Sequence, residues 1–181
     1  MQKIAKPHAF SLSHLIQVKS PLVELLISGI KEAYWAENHL VRALLKLTNS
    51  ASSREVKHIL DHHIERTKIH ANKLEHVFEF LDETIDARKS DSMSGIVLEA
   101  NEAIEYTDEG TATRDIAILL ACQKIEQYEI VNYSGLIKLA TTIGRDDVAD
   151  LLVDILNDEI DCNEQLLNQT EIISIIAVEE N

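Results

Sequence analysis

The chain has 181 residues, a formal net charge of −14, only 5 Gly and 2 Pro, and 4% aromatic residues. Its length suits one domain with a substantial core, while the scarcity of turn and aromatic residues argues against a β-rich fold. The acidity argues against nucleic acid or an anionic membrane surface as a partner, because both need a basic footprint.

No segment approaches the ~20 apolar residues of a membrane span. The N-terminal MQKIAKPHAFSLSHL lacks an apolar run ending in a small-residue cleavage site, so no signal peptide is expected. Cys122 and Cys162 do not have framework spacing, and reduced thiols in a cytoplasmic protein are the simplest account of them.

Residues 1–20 are expected to form a loose arm. A first long helix is predicted from about Pro21 to Leu47, with Pro21 in its first turn. Its apolar stripe is Leu26, Ile30, Ala33, Tyr34, Leu40, Leu44 and Leu47. After a polar break at residues 48–52, Ser52 and Glu55 read as a capping box opening a second helix. That helix carries Val56, Leu60, Thr67, Ala71, Leu74, Val77, Phe78 and Leu81 on its inner side and ends near Asp82.

The stretch DETIDARKSDS reads as a loop, followed by a short helix from about Met93 to Tyr106. A third long helix is predicted over Thr113–Ile143, stopped by Gly144. A fourth is predicted from Asp146 to Asn168, with a tail over 171–181 that either extends it or packs on a neighbouring subunit. The domain expected is thus an all-α, up-down bundle over 21–170, with the short helix in the long crossover.

Several polar residues interrupt these stripes. Glu37 sits where the first seam needs an apolar residue. Glu126 and Glu129 share the inner face of the third long helix, and Glu159 lies inward on the fourth, with Asn163 a turn later. His63 and His70 flank Thr67 on the second. Taken singly, each could be a buried ion pair or a satisfied core histidine. Together they place potential ligands on four helices, where buried carboxylates would repel one another unless a cation intervenes. A pair of divalent ions held by carboxylates and imidazoles answers that problem, and bundle cores build di-iron and di-manganese sites in this way. An oxygen-rich set favours iron or manganese without choosing between them.

His58, His62 and Glu65 fall off the inner stripe and read as solvated. Tyr34 and Tyr133 read as core residues able to donate to a site carboxylate. Trp35 reads as a rim or subunit contact, and Cys122 as a small hydrophobe on the seam.

The chain resembles the YciE/YciF family of ferritin-like stress proteins. The resemblance rests on Tyr34-Trp-Ala-Glu37 with Leu40, His63-Ile-Glu65-Arg-Thr67 with Leu74 and Phe78, and Met93-Ser-Gly95-Ile with Glu99. It continues with Arg114-Asp115, Glu126-Gln-Tyr-Glu129-Ile with Tyr133, and Leu151-Leu152 with Asp158-Glu159. It implies a ferritin-like antiparallel four-helix bundle with an extra short helix between the second and third long helices, forming a homodimer. It also implies a dinuclear centre with Glu37, Glu126, Glu129 and Glu159 as acidic ligands and His63 as an imidazole ligand. The chemistry implied is oxidation of Fe(II) or reduction of peroxide at two iron ions, or manganese.

The chain departs from the family pattern at four places. Arg66 stands where a second acidic residue is usual, Asn163 where an aspartate is usual, Gln127 where a histidine is usual, and Ser90 where a cysteine often precedes the short helix. His70 is a compensating ligand on the second helix. These departures leave open a second reading, a non-catalytic stress or interaction protein whose site has degenerated, with Arg66 in place of the metals.

Overall fold

The computed structural model describes residues 20–179, and among these it contains five α-helices and no strand. In chain order they are α1 (Pro21–Ser50), α2 (Arg54–Phe80), α3 (Asp91–Glu105), α4 (Ala112–Thr142) and α5 (Asp146–Glu179). The N-terminal arm expected over 1–20 lies outside the described residues except for Ser20. No helix in the described range is long and apolar enough to cross a membrane.

The helix ends follow from local chemistry. Ser20 caps α1 by accepting from the Val23 amide, with Pro21 in the first turn. The polar residues that seemed to end α1 at Leu47 do not, because Thr48 and Ser50 donate their hydroxyls to the carbonyls of Leu44 and Lys46. The cap of α2 is Ser53 rather than Ser52: its hydroxyl accepts from the amides of Glu55 and Val56. The shift has a tertiary cause. The buried carboxylate of Asp115, at the start of α4, accepts the amides of Ser52 at 2.6 Å and Ser53 at 2.7 Å and fixes the turn. Gly144 stops α4 at φ 75°, and the amides of Gly144 and Arg145 close back onto Thr141 and Ala140. The apolar tail simply continues α5 to Glu179, some ten residues past the expected end.

Helix α1 packs on α2, α4 on α5, α2 on α5 and α1 on α4, so the four long helices close a ring. The short α3 lies against α4 and α1. Two apolar clusters fill the interior. One combines Leu40, Leu44 and Leu47 of α1 with Val56 and Leu60 of α2, Ile118 and Cys122 of α4, and Cys162 and Leu166 of α5. The other combines Leu26 and Ile30 with Leu74 and Phe78, Tyr133 and Leu136, and Leu152 and Ile155. The C-terminal half of α1 thus shares a cluster with the N-terminal half of α2, so these two helices run in opposite directions; α4 and α5 do likewise. Between the clusters, at mid-height on every long helix, lies a belt of buried polar residues: Glu37, His63, Thr67, His70, Glu126, Glu129 and Glu159.

Candidate metal centre

Each member of the belt is placed by helical spacing. Glu37 follows Ala33 by one turn and precedes Leu40, so the face that buries them must bury it too. His63 and His70 lie two turns apart on α2, with Thr67 between them donating its hydroxyl to the His63 carbonyl at 3.0 Å. Glu126 and Glu129 lie three apart on α4, with Tyr133 one turn after Glu129. All six acids and imidazoles expected from the sequence (Glu37, His63, His70, Glu126, Glu129 and Glu159) are brought together, none more than 2% exposed.

They form two groups. In one, single donor atoms of His63, Glu126, Glu129 and Glu159 all lie within 4.8 Å of one another; in the other, those of Glu37, His70 and Glu159 do. Glu159 belongs to both and joins them. His63 Nε2 stands 2.9 Å from Glu126 Oε1, and His70 Nδ1 stands 3.0 Å from Glu159 Oε1 and 3.7 Å from Glu37 Oε1.

Short as these approaches are, the atoms are not aligned to hydrogen-bond. Among the described residues, seven buried side-chain atoms have no hydrogen-bond partner: Glu37 Oε2, both ring nitrogens of His63, His70 Nδ1, both oxygens of Glu126, and Glu159 Oε1. Orphaned buried polar atoms are costly and rare. Here they are concentrated in one place and belong to residue types whose lone pairs bind cations.

The surroundings orient these donors. Tyr133 donates its hydroxyl to Glu37 Oε1, which leaves Oε2 free. On the other side, His70 Nε2 lies 3.2 Å from Asp158 Oδ2, itself 3.5 Å from Lys73 Nζ. In a neutral ring whose Nε2–H donates to Asp158, Nδ1 is a bare lone pair aimed at two carboxylates. That arrangement repels unless a proton or a metal sits between, and it is the carboxylate–histidine support common behind metal-binding imidazoles.

The electrostatics carry the same strain. Burial, and then the neighbouring Glu159, push the Glu37 carboxyl up to about 8. Burial with Glu37, Glu159 and Glu126 around it holds Glu129 well above the usual carboxylate range. Burial likewise raises Glu159, with His70 opposing. Glu126 is the exception: burial would raise it, but His63 outweighs that and holds it low, while Glu126 in turn holds His63 well above its ordinary value against burial. His70 is raised by Glu159 and Glu37, again against burial.

Residues 21–175 match the model of a domain of unknown function, DUF892. The chain belongs to the DUF892 family. It is 34% identical over 137 residues to Protein YciF of Escherichia coli strain K12, covering 75% of this chain and 82% of that protein. The crystal structure of the E. coli stress protein YciF superposes with a TM-score of 0.81 at 31% identity, over 87% of this chain and 98% of that one. The structure of YcfI from Rhodopseudomonas palustris, described as a putative structural protein, gives 0.78 at 31% identity over 83% and 95% of the two chains.

Other expectations fare individually. Arg66, whose guanidinium was a potential metal substitute, turns to α5 and donates to the backbone carbonyl of Asp158 at 3.2 Å rather than to a belt carboxylate. Asn163 is half-buried, a turn past Glu159. Ser90 caps α3 and meets the Tyr128 hydroxyl at 2.9 Å. Tyr34 donates to Glu75, outside the belt. Trp35 stacks on His39 at 4.5 Å against the first cluster. His58, His62 and Glu65 are exposed as expected. Two residues of the site were not singled out from the sequence, Asp158 behind His70 and Cys162 beside His63. An acid next to a stripe reads as solvated and a buried thiol reads as apolar, although the i, i+3 spacing from Glu159 to Cys162 did place both on one face.

Proposed function

We propose that this protein is a ferritin-like, antiparallel four-helix-bundle stress protein whose polar belt holds a dinuclear iron or manganese centre. The observation that carries this is the set of seven partnerless buried donor atoms, drawn from all four long helices and divided into two groups that share Glu159. The donors fit the ions: carboxylate oxygens with one imidazole nitrogen for each group, the hard set that suits iron and manganese. His63, Glu126, Glu129 and Glu159 would hold one ion, and Glu37, His70 and Glu159 the other. Two redox-active ions in that place would supply the electron transfers for Fe(II) oxidation or peroxide reduction.

The chain's own contribution is positioning. Asp158, 3.2 Å from His70 Nε2, would hold a metal-binding His70 in the tautomer that leaves Nδ1 for the ion, Tyr133 steers Glu37 by occupying one oxygen, and the two apolar clusters above and below keep water from competing for the donors. A homodimer in the cytoplasm, acting on divalent metal ions without nucleic acid or membrane, completes the reading.

Metal analysis of protein made in iron-supplemented medium tests it, with about two ions expected per chain, as in other bundle-core carboxylate centres. Less than about one ion per two chains, with Glu126→Ala several kcal/mol less stable than the parent, would overturn it. That second outcome would favour a metal-free structural or interaction protein held by His63–Glu126 and His70–Glu159 contacts of 2.9 and 3.0 Å, a reading in keeping with the description of the R. palustris relative.

A further inference from the structure

Cys162 lies three residues after Glu159, so α5 turns both toward the same side of the core. It is 3% exposed. Its Sγ, one nitrogen of His63 and one oxygen of Glu126 all lie within 4.8 Å of one another. Neither oxygen of Glu126 and neither nitrogen of His63 has a hydrogen-bond partner, and these two residues are 0% and 2% exposed. A cysteine that merely fills space needs no polar neighbours, and alanine or valine would serve as well. Here the thiol completes a triangle with two buried groups whose bonding capacity is unused.

His63 and Glu126 therefore belong to two donor sets at once. With Glu129 and Glu159 they make an oxygen-rich set; with Cys162 they make a nitrogen, oxygen and sulfur set. Thiolate donors select zinc and similarly soft ions, whereas carboxylates select harder ones. We propose that Cys162 is a metal ligand, forming with His63 and Glu126 a second, sulfur-containing site that takes a thiophilic divalent ion such as zinc. A neutral imidazole offers one lone pair, so His63 serves only one of the two sets at a time; the sites are mutually exclusive, and zinc displaces the harder ion from this end of the centre. On binding, the Cys162 S–H gives its proton to solvent and the sulfur lone pair forms the bond to the metal; nothing is oxidised or reduced. The proposal rests on the reading of the belt as a metal centre, and the test separates the two.

Full-length protein, stripped of metal, is titrated with Co(II) under argon. The expected result is visible ligand-field bands together with a near-ultraviolet sulfur-to-cobalt charge-transfer band. Cys162→Ser loses the charge-transfer band but keeps the ligand-field bands, and Cys122→Ser, lacking the other buried thiol, keeps both. Competition titrations are expected to show Cys162→Ser weakening zinc on the order of a hundredfold, at least the effect of losing an outer-sphere partner, with Mn(II) affinity nearly unchanged. Cobalt bound without the charge-transfer band would overturn the proposal and leave the metal centre standing. No cobalt bound at all would overturn both. Zinc-edge X-ray absorption of the unaltered chain needs no variant: a sulfur scatterer supports the proposal, and a shell of nitrogen and oxygen alone contradicts it.

Discussion

Glu159→Gln separates a metal centre from a buried ion-pair network, because the two accounts give opposite signs. In the metal-free protein Glu159 crowds its neighbours and helps push Glu37 up to about 8. The amide removes that charge and keeps the shape. His70 is not orphaned by the change, since Asp158 remains 3.2 Å from Nε2 and Glu37 3.7 Å from Nδ1. The metal-free variant is therefore expected to match the parent within about 1 kcal/mol or to exceed it. A structural ion pair would instead cost about 3–5 kcal/mol when one partner is removed.

Metal reverses the ranking. An ion present at 100 times its dissociation constant adds about 2.7 kcal/mol, so two add about 5 kcal/mol. At about 2–4 °C per kcal/mol for a chain of this size, the parent Tm rises by about 10–20 °C. The variant has lost the carboxylate common to both groups, so its rise is expected to stay below about 5 °C on the same scale. Thermal unfolding followed by circular dichroism, with chelator and then with Mn(II), reads both quantities. A chelated variant several kcal/mol less stable than the parent, together with a parent Tm that ignores Mn(II), would mean that the belt is a structural ion-pair network and not a metal centre.

Asp158→Asn is expected to weaken one of the two ions by about 10–100-fold and spare the other, because Asp158 supports only His70; two-step Mn(II) calorimetry would show a single step displaced. The metal-free protein is expected to lose stability as pH rises from about 4.5 to about 8. Over that window folded Glu37 keeps a proton that the unfolded chain has released, so each such proton costs about 1.4 kcal/mol per pH unit. His63 and His70, also raised, add in the same direction above their ordinary value of 6.5. Glu126, held low, acts oppositely and only at the acid end, its contribution being lost as pH falls below 4.5. Urea unfolding in chelator across this range gives the slope. Asp115→Ala is expected to cost about 3 kcal/mol, since two amides at 2.6 and 2.7 Å lose a charged acceptor, without altering metal stoichiometry.

The inward polar residues were legible because helical periodicity is strict. A glutamate between Ala33 and Leu40, or between Cys122 and Tyr133, has nowhere to point but the core. Their grouping was not, because which carboxylate faces which imidazole depends on how helices are staggered, and that stagger is set by contacts such as Asp115 with the turn before α2. The same contact moved the α2 cap from Ser52 to Ser53. Thr48 and Ser50 prolonged α1 by bonding back to their own helix, which composition alone reads as a break. Cys162 satisfied the apolar pattern and so gave no sign of its polar neighbours, and Arg66 sat near the inward edge yet turned to a backbone carbonyl across the helix interface.

A dinuclear centre in this belt requires two ions that share Glu159. Anomalous scattering at the iron edge, from crystals grown with Fe(II) under argon, tests it most directly. Two peaks are expected per chain, one among His63, Glu126 and Glu129 and one between Glu37 and His70, each in contact with the Glu159 carboxylate. An empty anomalous map across the belt, with Glu126 paired to His63 and Glu159 to His70, would contradict it.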